Sequence, residues 1–184
     1  MLNVLRRLSG KRKYAFYAYK PAYAKLFTRE RRRLLKALGS KTHLEHIGST
    51  AVPGLGGKNI LDIIVGTKKR DMHIMIGDMK RLGYEFMPNS GSEERLFFVR
   101  DATYEGRKER IHLHLVKFRG GEWIDKIAFR DYLKSNSTAM LEYANVKRSA
   151  VRVAKGDKER YMYGKQSFIS KAMRKATRNV NSGK

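Results

Sequence analysis

The 184-residue sequence predicts an α+β fold, a mixed sheet flanked by helices with further helices at the C-terminal end. Three observations predict it. Two short apolar runs, at 44–47 and 60–65, flank a segment holding four glycines, a proline and two hydroxyls. A helical period precedes the first run. After the second, the periods read helix, strands, then three helices, with no internal repeat and no inter-domain linker.

Residues 1–20 read as an arm. Arg6, Arg7, Lys11, Arg12 and Lys13 precede Tyr14, Phe16, Tyr17 and Tyr19, whose aromatics either pin the arm to the domain or stack on bases. Pro21 suits a helix start, and Ala22, Leu26, Leu34, Leu35 and Leu38 recur at helical spacing until Gly39 caps the end. The two apolar runs are strands, with Gly48 and Ser49 at the turn after the first. Residues 67–82 read as a helix ended by Gly83, and 84–87 as a short strand. Strands follow at 96–100 and 110–117, separated by a polar connection at 101–109. Helices are expected at 123–134, at 138–153 with Ser137 as N-cap, and from Gly156-Asp157 to about residue 177, before a tail at 179–184 that frays. The domain proper is therefore 21–178.

The chain has no cysteine, which excludes disulfides and thiolate zinc sites. No apolar run reaches the length of a membrane span, and the basic N-terminus lacks a secretory apolar stretch, so a cytoplasmic protein is expected. The net charge is +24. Residues 1–42 hold 13 Lys and Arg against one acid, Glu30, and residues 147–184 hold 12 against two, Asp157 and Glu159. The middle, with 16 bases and 14 acids, is nearly neutral. If the basic termini pack side by side they form a face that attracts polyanions, chiefly RNA or DNA. The plainer reading is a solvated, idle charge.

Chemistry concentrates around the Gly48 turn. Glycine admits close backbone approach, and free N–H groups there cradle phosphate. Ser49 and Thr50 offer hydroxyls and Lys58 a point charge. Asp62 interrupts an apolar strand and needs a partner, either a divalent metal ion or a base such as Lys58 or an arginine. With strand alternation, Ile60, Asp62 and Ile64 share one face. His112 and His114 likewise share a face, and beside Asp62 they make a two-histidine, one-carboxylate set. His46 is expected to be structural. Glu93 reads as a solvated turn residue, and Arg130 with Asp131 as a helix-surface ion pair.

The string His46-Ile-Gly-Ser-Thr-Ala-Val-Pro-Gly-Leu, then Lys58, then Ile60-Leu-Asp-Ile, resembles the signature of the GrpB family, within the nucleotidyltransferase superfamily. The resemblance continues through Leu82-Gly-Tyr-Glu, Glu94-Arg-Leu-Phe-Phe, His112-Leu-His-Leu-Val and Ala128-Phe-Arg-Asp-Tyr-Leu. It implies a nucleotidyltransferase-like sheet and transfer of a nucleotidyl group from a nucleoside triphosphate, with Mg2+ or another divalent cation. It also implies that Gly48, Ser49, Thr50, Lys58 and Arg95 bind the nucleotide. The same-face reading makes Asp62, His112 and His114 the expected catalytic residues and metal ligands, with Glu94 added to the ligands by the resemblance. In many folds of the superfamily a carboxylate stands on the strand where the histidines are. Ile64 stands where the superfamily carries a second carboxylate. The alternative is a nucleic-acid-binding module on a degenerate site. Oligomeric state is not legible.

Overall fold

The computed structural model describes residues 15–181, with side chains through 176. The arm residues 1–14 and the last three of the tail lie outside the described residues.

Helix α1 (Ala22–Leu38) ends at Gly39, whose φ of 95° is open to glycine and costly to other residues. Strand β1 (His43–Ile47) follows, then a single 3-10 turn (Ser49–Ala51) and β2 (Ile60–Thr67). Helix α2 (Met75–Arg81) and the short β3 (Glu85–Phe86) lead into β4 (Arg95–Tyr104) and β5 (Arg107–Lys117). Three helices close the chain: α3 (Gly121–Ser135), α4 (Ser137–Ala154) and α5 (Lys158–Asn181).

The five strands form one mixed sheet in the order β1-β2-β5-β4-β3. Only β2 and β5 run parallel; the other neighbours are antiparallel. Alternation sorts the residues. Leu61, Ile63, Val65, Ile111, Leu113, Leu115 and Phe98 face a core closed by α1 and α2. Ile47, Ile64 and Val116 face Trp123 of α3. A further core joins α3, α4 and α5 to Val52 and Leu55 of the loop between β1 and β2.

Several boundaries differ from the sequence reading. The helix expected at 67–82 shrinks to Met75–Arg81, because Thr67 still pairs with Lys117 as the last rung of β2. The polar connection expected at 101–109 is instead the far half of a long hairpin. Asp101 pairs with Arg110 and Tyr104 with Arg107, and Glu105 and Gly106 take φ of 47° and 73°, as a tight two-residue turn between twisted strands requires. Asn136, not Ser137, caps α4, its Oδ1 accepting from the Ala139 N–H at 2.9 Å. Asp157 caps α5 by accepting from the Arg160 N–H at 2.8 Å.

Helix α1 is built into one layer, and α4 and α5 into another. Arg31 and Arg32 are exposed, but Arg33 is not spare charge. It binds Glu30, which is buried and also accepts from Tyr84 Oη at 2.7 Å and Arg100 Nη1 at 2.9 Å. Arg33 further donates to the Leu82 carbonyl. Of the arm, Phe16 packs against the α3–α5 core, and Tyr17 forms a bridge with Gly57. Among the described residues, no helix is long and apolar enough to cross a membrane.

Candidate phosphate-binding and acid–base site

Gly48 takes a φ of 71° directly after β1, and a Cβ added there would lie 2.4 Å from Asp62 Oδ2. Only glycine lets the turn descend onto the carboxylate. Asp62 is held in place by register: it pairs across β2–β5 with His112, and Ile64 pairs with His114. Residues so paired share a face, so Asp62 and both histidines converge. Asp62 Oδ1 lies 3.3 Å from His112 Nδ1 and 3.6 Å from His114 Nε2. Phe97, paired with His114 from the other side, places its ring 5.0 and 5.1 Å from the two imidazoles.

Charge follows from this packing. Burial alone would raise the Asp62 carboxyl, but the two histidines outweigh it and hold the group well below the usual carboxylate range. Burial lowers His114, against the pull of Asp62, so its imidazole is neutral near pH 7. With Asp62 facing Nδ1 of His112, that nitrogen is assigned the proton and Nε2 the lone pair.

The loop from 52 to 59 brings in a second group. A Cβ at Gly57 would lie 2.4 Å from Ser49 Oγ and 2.9 Å from Lys147 Nζ, so hydroxyl, glycine and ammonium meet at one place. Lys147 also donates to the Gly56 carbonyl. Lys58 and Lys165 both stand over the Tyr161 ring, at 5.2 and 4.2 Å from its centroid. Lys147 lies 5.3 Å from the Tyr143 centroid. Lys147 and Lys165 are buried, at 4% and 9% exposure. Burial, with Lys165 and Lys58 acting in the same sense and Asp62 opposing, brings the Lys147 ammonium down to about 7. Burial, Lys58 and Lys126 bring Lys165 to about 8, again against Asp62. Burial also lowers Lys58.

Lys147 and Lys165 escaped the sequence reading, although a signal existed. Tyr143, Lys147, Ala150 and Ala154 share the inner stripe of α4, and Tyr161, Lys165, Phe168 and Ala172 that of α5. A lysine inside an otherwise buried stripe is the mark of a cation turned inward.

Other expected residues fare differently. The Thr50 hydroxyl donates to the Ile60 carbonyl and accepts from His46 Nε2, both at 3.0 Å, so it is not available to phosphate. His46 is structural, as expected: it pairs with Ile63 on the opposite face from Asp62 and stacks on Phe27. Burial brings its imidazole down to about 4. Arg95 stands beyond His114 and pairs loosely with Glu122 at 4.0 Å, its Nε buried without a partner. Glu94 is exposed, near Gly121 at the start of α3. Arg130 is more than a surface ion pair with Asp131: its Nη1 also donates to Glu45 at 2.6 Å and to the His46 carbonyl, tying α3 to β1.

The sequence profile of the family described as GrpB protein matches residues 14–175. The chain belongs to the GrpB family. A UPF0157 protein of Halalkalibacterium halodurans is 34% identical over 163 residues, covering 86% of this chain and 80% of that protein. The crystal structure of the conserved protein GrpB from Enterococcus faecalis superposes with a TM-score of 0.76 at 27% identity, covering 90% of this chain and 99% of that one. A chain of the GLD-2/RNP-8 complex superposes with a TM-score of 0.53 at 14% identity, covering 80% of this chain and 59% of that one, a likeness of fold alone. The GrpB fold is thus α+β and nucleotidyltransferase-like.

The metal implied by that fold is tested by the donor set. Magnesium takes hard oxygen ligands in near-octahedral geometry, and a two-metal centre needs more than one carboxylate. In this GrpB chain Ile64 is fully buried in apolar contacts at the second-carboxylate position. Both histidine nitrogens face a single oxygen of Asp62. Among the described residues, no group of three His, Asp or Glu side chains is arranged to hold a metal ion. The expected set of Asp62, Glu94, His112 and His114 does not fit a pair of divalent cations.

Proposed function

We propose that this GrpB-family chain binds a nucleoside triphosphate and transfers its nucleotidyl group to an acceptor hydroxyl. The convergence of Ser49 Oγ, Lys147 Nζ and Gly57 carries the reading. A glycine turn, a hydroxyl and inward lysines are what a chain of phosphates requires, and they open beside an ionised carboxylate flanked by two imidazoles.

The polyphosphate would lie along Gly48, Ser49 and Gly57, its charge met by Lys58, Lys147 and Lys165. The acceptor would approach over His112 and Phe97, with Arg95 on the acceptor side. Asp62 holds His112 in the tautomer that leaves Nε2 free, as a carboxylate orients the base of a catalytic triad. The acceptor hydroxyl gives its proton to His112 Nε2, and its oxygen forms a bond to the α-phosphorus. The bond from that phosphorus to the bridging oxygen breaks, and its electron pair leaves with pyrophosphate, whose charge stays against the lysines.

The test is calorimetric titration with the four nucleoside triphosphates, followed by pyrophosphate release in the presence of candidate hydroxyl acceptors. Saturable binding of a triphosphate and release of pyrophosphate are expected. No binding of any triphosphate at millimolar concentration would overturn the proposal.

A further inference from the structure

We infer that this site grips polyphosphate without a divalent cation, with Lys58, Lys147 and Lys165 supplying the positive charge that metal ions supply in two-metal nucleotidyl transfer. The inference rests on the nucleotide site proposed above and deepens it.

Three ammonium groups are gathered around two aromatic rings, and the surroundings of Lys147 and Lys165 are incomplete as a resting arrangement. The partners of Lys147 are the Gly56 carbonyl and the rings of Phe16 and Tyr143. Those of Lys165 are Met162 Sδ at 3.5 Å and the ring of Tyr161. Carbonyls, thioethers and ring faces solvate a cation weakly; none neutralises it. Asp62 lies within electrostatic reach of all three lysines, and it already faces two histidines. Each lysine makes protonation of a neighbour harder, so gathering them buried is unfavourable until an anion enters. A linear polyphosphate is the anion that fits: several charges in a row, each oxygen an acceptor, opposite a row of ammonium groups and the Ser49 hydroxyl.

The carboxylate side argues the same way. Metal-dependent sites of this kind surround the phosphates with carboxylates that hold cations; here one carboxylate is committed to imidazoles, and buried isoleucine occupies the next position. The positive charge is carried on the protein's own helices instead. A metal-bound polyphosphate would bring cations toward three ammonium groups, which is repulsive at close range.

The experiment is calorimetric titration of the full chain with inorganic tripolyphosphate, in EDTA and again in excess MgCl2. Binding in EDTA at least as tight as in MgCl2 is expected. The Lys147→Met, Lys165→Met double variant should lose at least tenfold in EDTA. Asp62→Asn, which removes a competing anion, should bind at least as tightly as the parent and guards against a lysine variant that fails to fold. Tripolyphosphate binding that requires magnesium, or that Asp62→Asn abolishes, would overturn the inference and leave the nucleotide site standing. No binding of tripolyphosphate or triphosphate under either condition would overturn both.

Discussion

Lys147 donates a hydrogen bond to the carbonyl of Gly56, 91 residues earlier in the chain. A helix near the C-terminal end thus holds the loop that follows the Gly48 turn, and the cation that does so is one whose proton is easily lost. Its titration becomes a reporter of the site.

In the folded chain Lys147 releases its proton at about 7, against an ordinary value of 10.5. Between those limits the unfolded chain binds the extra proton, so the stability of the ligand-free protein should rise with pH from about 7 to 10.5 and level off at its lower value below 7. Polyphosphate favours the charged amine, so binding should take up protons and weaken from pH 7 to 9. Calorimetry at pH 8 in two buffers of different ionisation heat measures the uptake; equal heats would remove Lys147 from the site.

Gly48→Ala should destabilise the fold and abolish triphosphate binding. The positive φ alone costs about 1–3 kcal/mol, and the new methyl would meet Asp62 Oδ2. Gly39→Ala is the control. It carries the same backbone strain at φ 95°, with nothing within 4 Å of the added carbon, and should lower thermal stability while sparing binding.

His112→Asn removes Nε2 and should stop pyrophosphate release while leaving triphosphate affinity within a few-fold of the parent. Asp62→Asn should retain the fold and reduce turnover by roughly 10^4-fold, the loss seen when a catalytic histidine is deprived of its orienting carboxylate. An Asp62→Asn protein that only melts earlier, with turnover intact, would make this residue a structural ion-pair partner.

Glu30→Gln should cost about 3–5 kcal/mol in urea denaturation, because Arg33 and Arg100 lose a buried counter-charge. Burial opposes ionisation of Glu30, but its bonds from Arg33 and Tyr84 and the charges of Arg100 and Arg33 outweigh burial and lower it. The stabilisation is therefore present above the ordinary carboxylate value and lost as pH falls through the lower folded one. The network lies among the α1 and α2 packing, on the other side of the sheet from Asp62, so triphosphate affinity should not change.

The sequence made the Asp62 face legible because strand alternation is local: two residues along β5 suffice to align His112 with His114, and parallel pairing with β2 does the rest. The Gly48 turn was legible for the same reason, since small residues between apolar runs permit little else. The 101–109 stretch was not, because only Ala102 and Tyr104 mark its half-buried face and the residues that pair with them, from Arg107 to Glu109, are all charged. The Thr50 hydrogen bond was not legible either, because its acceptor, the Ile60 carbonyl, comes into range only when the loop folds back. Lys147 and Lys165 were lost among the other basic residues of their helices, where direction inward or outward depends on packing rather than on residue type.

Tyr17 exchanges both backbone hydrogen bonds with Gly57, at 2.7 and 2.9 Å, and Phe16 lies against Gly56. A recombinant boundary drawn at Pro21, just ahead of the first helix, would spare every strand and helix among the described residues yet strip away this outer seam. Such a shortened protein would keep its far-ultraviolet spectrum and lose its grip on phosphate, so a cleavage before α1 would silence the site without unfolding anything. The segment ahead of the first helix is in that sense a latch on the loop, and its integrity has to be checked by ligand binding rather than by measures of folding.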